Sequence, residues 1–196
     1  MTTNNKIELM APAGNFESLQ AALDNGCDSV YFGVEQLNMR ARASVNFTMD
    51  DLAEIAKRCE AKNVRSYLTL NTIIYDHDLS VVKTLINKAK EANITAVIAS
   101  DQAVIAMARS VGMEVHISTQ LNVTNIETIK FYSLFADTMV LSRELSLRQV
   151  KKITEQIEKE QIKGPNGNLV EIEIFGHGAL CMAVSGKCYL SLHSHN

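Results

Sequence analysis

The stretch EVHIST, residues 114–119, decides between two α/β architectures. Side chains alternate across a strand, so Val115 and Ile117 share one face while His116 and Ser118 share the other. A flat parallel sheet covered by helices on both faces reads as a continuous apolar run. A closed parallel barrel has one helix-covered face and one face lining its interior, where polar residues near the C-terminal strand ends face the mouth. The VEIEIF stretch, 170–175, repeats the alternation: Val170, Ile172 and Ile174 on one face, Glu171 and Glu173 on the other. The pattern predicts a (β/α)8, TIM-barrel-like fold over an open doubly wound sheet.

Working outward, short apolar runs alternate with longer amphipathic ones. Strands are predicted near 7–13, 29–34, 64–70, 96–100, 114–119, 138–142 and 170–176. Between them lie helix signals: Asn15 as a cap closing at Gly26, Thr48 before MDDLAEIAKRCEAK, a Val82, Leu85, Ile86, Ala89 stripe, a segment opening at Asp101, and a Ser146–Gln149 capping box. Repeated βα units imply parallel strands joined by right-handed crossovers. Seven strands are legible, whereas a closed barrel of this kind takes eight. With a last stretch, LSLHSHN, read as loop, the expectation is one domain over 1–196, truncated at its C-terminal end. Its unpaired barrel edges invite self-association.

Composition bounds the rest. Apolar residues make up 46% and charged residues 21%, an ordinary globular balance with a core of useful size. A net charge of −3 offers no general attraction to nucleic acid. The N-terminus lacks the pattern of a secretory signal, and no apolar run is long enough to span a membrane. Four cysteines in that setting point to a reducing compartment, so the expected location is cytoplasmic. Cys59 on a helical stripe and Cys27 beside the second strand are expected in the core.

Cys181 and Cys188 are different, because they sit in a glycine-bearing segment just past the seventh strand, at the mouth. They read as inert loop thiols, as a disulfide, as part of a zinc site with His193 and His195, or as half of a cysteine-held iron–sulfur cluster; a tetrahedral site or a cluster each takes about four ligands. Arg143 and Glu173, on neighbouring strands, read as a buried ion pair lining the barrel or as groups that bind substrate and move protons. Arg40 and Arg42 face one way in an extended segment and suit a bidentate clamp on carboxylate or phosphate, or else are solvated loop arginines. His116 and Ser118 lie roughly 6–7 Å apart along a strand, too far for a nucleophile–base pair. His177, between two glycines, lines the mouth or stands in solvent.

Glu173, Phe175, Gly178, Ala179, Leu180, Cys181, Gly186, Cys188, Leu190 and Ser191 fall on the pattern E-x-F-x-x-G-[SA]-[LIVM]-C-x4-G-x-C-x-[LIVM]-S. In this the chain resembles the U-thirty-two peptidase family, the collagenase-like proteases. LMAPAGNFESL, FGVEQLNMRARASVNFT, HISTQLN (with Ser118 and Gln120) and LSRELSL are similar to the family too, so the resemblance covers nearly the whole chain. It implies a barrel enzyme. The family's relatives include oxygen-independent hydroxylases of tRNA, ribosomal RNA or ubiquinone precursors. These use a four-iron, four-sulfur cluster, with prephenate as oxygen donor. Carried over, Cys181 and Cys188 are two of four metal ligands, with two further cysteines expected past residue 196. Glu173, Arg143 and His116 are the expected catalytic groups. Arg40, Arg42, Ser118, Gln120 and His177 are the expected substrate-binding groups, with prephenate or an RNA backbone suiting the two arginines. The alternatives are the peptidase activity of the family name and a non-enzymatic partner subunit.

Overall fold

The computed structural model describes residues 7–34, 37, 47–178 and 183–187. Its seven strands are β1 (Met10–Pro12), β2 (Ser29–Gly33), β3 (Arg65–Leu70), β4 (Ala96–Ala99), β5 (Glu114–Ile117), β6 (Thr138–Val140) and β7 (Glu171–Glu173). All neighbours are parallel, and the sheet runs in sequence order from β1 to β7. That order, with helices in the crossovers, is the wall of a TIM-like barrel left open between β1 and β7 among the described residues.

The helices are α1 (Phe16–Asp24), α2 (Leu52–Glu60), α3 (Leu79–Glu91), α4 (Gln102–Ser110), α5 (Ile126–Tyr132) and α6 (Leu147–Glu160). Their starts follow the expected caps. The Asn15 side chain accepts from Ser18 N at 2.8 Å, and Ser146 and Gln149 form the anticipated capping box. Thr48 caps a single 3-10 turn that leads into α2. Helix α5 has no counterpart in the sequence reading. Only Ile129 of its seven residues is fully buried, with Ile126 and Tyr132 packed partly against the core, and Asn125 caps it through Thr128 N at 3.0 Å.

Two apolar layers flank the sheet. The large one lies between strands and helices and holds Val115, Ile117, Leu68, Leu70, Met139 and Leu141 with the inward stripes of the helices. Each fully buried Leu or Ile there contributes about 1.5–3 kcal/mol. Cys27 and Cys59 belong to this layer as expected, and burial pushes the Cys59 thiol up to about 11. The second layer, inside the barrel, is small: Tyr67, Ala96 and Ile98, with Met10 and Tyr31 packed on them. The rest of the interior is polar, as the EVHIST alternation required. One facing expectation fails: Ile174 lies past the end of β7 and is 47% exposed rather than packed on helices. No helix among the described residues is long and apolar enough to cross a membrane.

Candidate active site in the barrel interior and mouth

The inward positions of β5 begin the site. His116 is 3% exposed, and its Nε2 lies 3.0 Å from Glu114 Oε1, two residues back on the same face. That hydrogen bond holds the Glu114 carboxyl below the usual glutamate range. The His116 ring sits on the Tyr67 ring of β3, with centroids 4.6 Å apart. Tyr67 in turn donates its hydroxyl to Glu8 Oε1 at 2.8 Å, and Glu8 forms an ion pair with Arg65. These groups close the floor of the barrel.

Glu173 occupies the inward face of β7, one strand beyond Val140 of β6. Burial raises its pKa above the ordinary 4.5, a rise that a protonated His116 would oppose. Glu173 Oε2 and His116 Nδ1 are both buried with no hydrogen-bond partner. A buried polar atom left unpaired costs about 1–3 kcal/mol.

Above them the loops form the mouth. Ser118 Oγ accepts from Asn71 Nδ2 at 3.5 Å and from Gln120 N at 3.3 Å. Gln120 stands in a 3-10 turn, half-buried. Arg143 donates from its backbone N to Ser185 Oγ at 3.2 Å, and its guanidinium carbon lies 5.6 Å from the Phe175 ring centroid. Ser185 is fully buried and donates its backbone N–H to Glu144 Oε1 at 2.8 Å, which holds Glu144 below its usual range. Gly186 follows at φ +73, where an added Cβ would meet Gln120 O at 2.5 Å. The segment between Cys181 and Cys188 is thus fastened at its middle to the loops after β5 and β6.

One expectation changes: Arg143 does not pair with Glu173; Ser185 and Phe175 occupy its head instead. His116 and Ser118 stay apart as the strand rise required, and the bonded nitrogen of His116 turns to Glu114. His177 is exposed. Arg40, Arg42, Cys181 and Cys188 lie outside the described residues, which themselves contain no group of three or more His, Cys, Asp or Glu able to hold a metal. Sequence reasoning missed Glu114, Tyr67, Glu144 and Ser185. Glu114 was open to discovery from its two-residue spacing to His116, whereas Ser185 occupies an unrestricted position of the motif.

The fold and this polar mouth define a TIM-barrel-like α/β protein with polar groups at inward and C-terminal strand positions. The sequence matches Peptidase family U32 over residues 14–196, and the chain belongs to that family. It is 57% identical over 192 residues to a protein named Collagenase from Porphyromonas gingivalis, covering 98% of this chain and 46% of that one. It is 32% identical over 191 residues to tRNA hydroxylation protein P1 of Bacillus subtilis, covering 96% of this chain and 42% of that one. The chain therefore spans less than half the length of these relatives. Among solved structures, the U32 peptidase Mk0906 superposes with a TM-score of 0.64 at 14% identity over 80% of this chain and 68% of its own, a likeness of fold.

Proposed function

We propose that this chain is the barrel portion of a cytoplasmic enzyme that hydroxylates a base of tRNA or ribosomal RNA without molecular oxygen. The observation that carries the reading is the anchoring of the thiol-bearing segment, through Ser185 and Gly186, beside a mouth where Arg143 lies over the half-exposed Phe175 ring. An aromatic face with a cation beside it suits a flat, extruded base next to a cofactor. Similarity to a tRNA hydroxylation protein over 96% of the chain supports it. Cys181 and Cys188 would supply two of the roughly four thiolates that a four-iron, four-sulfur cluster takes, so the cluster needs further ligands besides these. When bound, such a cluster supplies one-electron chemistry. The residues of this chain would orient the acceptor through Arg143 and Phe175, and Arg40 and Arg42 would hold the carboxylates of an oxygen donor such as prephenate.

A second reading, collagenase-like proteolysis, is favoured by the 57% identity to the protein named Collagenase. Against it stands that, among the described residues, no serine or threonine hydroxyl bonds a histidine, His116 being turned to Glu114. The full-length protein, purified without air, separates them. Hydroxylation predicts bound iron and sulfide, and a hydroxylated nucleoside that disappears from bulk RNA when the gene is deleted. Gelatin cleavage by an iron-free preparation, with RNA unchanged by the deletion, would replace the proposal with the peptidase reading. Self-association through the open edges of β1 and β7 is proposed as well; a sedimentation coefficient constant with concentration would dismiss it.

A further inference from the structure

The barrel interior holds two groups whose acting atoms are buried and unpaired, His116 Nδ1 and Glu173 Oε2. They rise from inward positions of β5 and β7, with β6 between them: His116 is level with Thr138, and Glu173 with Val140. Glu114 distinguishes the two imidazole nitrogens. A carboxylate only accepts hydrogen bonds, so Nε2, at 3.0 Å, carries a proton, and Nδ1 is the atom that bears the lone pair whenever the ring is neutral. Tyr67 holds the ring by one face at 4.6 Å. A tautomer fixed by a carboxylate, with the opposite nitrogen buried and bare, is the arrangement of a general base.

We propose that His116 and Glu173 form an acid–base pair acting on a ligand that enters the barrel interior, with Glu114 as the positioning residue. The ligand class is a planar group with a removable proton next to a carbonyl oxygen or ring nitrogen. Its C–H or N–H bond breaks and the proton passes to Nδ1. The bonding electrons shift through the ligand to its oxygen or nitrogen, which takes the proton of the Glu173 carboxylic acid. Return of the proton from the imidazolium to the Glu173 carboxylate restores both groups, so no oxidant or reductant is consumed. Burial favours the protonated carboxyl that this role needs. Solvent reaches Glu114 from a cleft on the floor side, which it lines with Lys90, Thr95 and Arg109. The other charged or titratable groups facing the pair are Tyr67 and Arg65 of β3, Glu8 bonded to Tyr67, and Glu171 of β7.

The inference goes beyond the hydroxylation reading and is tested without iron or RNA, so either fails independently of the other. Infrared spectra of the full chain carrying 13C-glutamate are recorded just above the ordinary glutamate value of 4.5. A protonated-carboxyl band is expected there and is absent from Glu173→Gln. In His116→Gln the band should persist to higher pH, because no imidazolium can form beside the carboxyl. Nitrogen-15 spectra of the unaltered protein should show His116 protonated on Nε2, which keeps the test open even where a variant does not fold. A fully ionised Glu173 at that pH, a titration indifferent to His116→Gln, or a neutral His116 protonated on Nδ1 would each overturn the pair.

Discussion

At the scale of single residues, close approach is separable from backbone conformation. A Cβ at Gly164 would stand 2.5 Å from Asp137 Oδ1 and 2.8 Å from Asp137 Cα, and main chain cannot swing aside as a long side chain can. At Gly26 a Cβ meets nothing within 4 Å, but φ is +78. Gly164→Ala is therefore expected to destabilise by about 1–3 kcal/mol through crowding. Gly26→Ala should cost about 1–2 kcal/mol through conformation alone. Urea unfolding measures both. A Gly164→Ala variant with an unchanged midpoint would mean that the turn before β7 yields freely. Of the mouth residues, Ser118, Gln120, Arg143, Glu173 and His116 were legible as polar groups near strand ends. Their partners were not, because a partner such as Ser185, 42 positions from Arg143, is chosen by how two loops meet.

At the scale of elements, helix starts carry readable energies. Asn15 and Ser146 each complete a two-way capping box, on α1 and α6. Replacing either with Ala should remove about 1 kcal/mol. The Ser146→Ala loss is expected to be the more visible in amide exchange of the first turn of α6, whose exposed face gives it little tertiary support. Equal exchange in variant and parent would show that packing alone holds that end. Strands were legible because alternation and β-branched runs repeat at every crossover. Helix α5 escaped because it is short: seven residues, with Ile129 buried, Ile126 and Tyr132 partly buried against the core, and Phe131 57% exposed.

At the scale of the whole molecule, the interior carboxyls tie stability to pH with opposite signs. Glu173 has a raised folded pKa, so its contribution is complete below the ordinary 4.5 and is lost as pH rises through the folded value. Glu114 has a lowered folded pKa, so its contribution is present above 4.5 and is lost as pH falls through the folded value. Relative to the parent, Glu173→Gln should gain stability as pH rises above 4.5. Glu114→Gln should cost more at neutral than at acid pH. Unfolding midpoints across a pH series decide this, and two differences that ignore pH would show that neither carboxyl is perturbed by folding.

By itself the sequence determined the seven strands, the register of inward and outward faces, the main helix caps and membership of the cysteine-motif family. All of these are local patterns, written in spacings of two to four residues or in one contiguous motif. Only the tertiary structure decided that Tyr67 covers His116 and that Arg143 turns to Ser185 and Phe175 instead of Glu173. Those contacts join residues far apart in the chain. Their geometry depends on the curvature that brings β3, β5 and β7 around one interior, which no local pattern encodes.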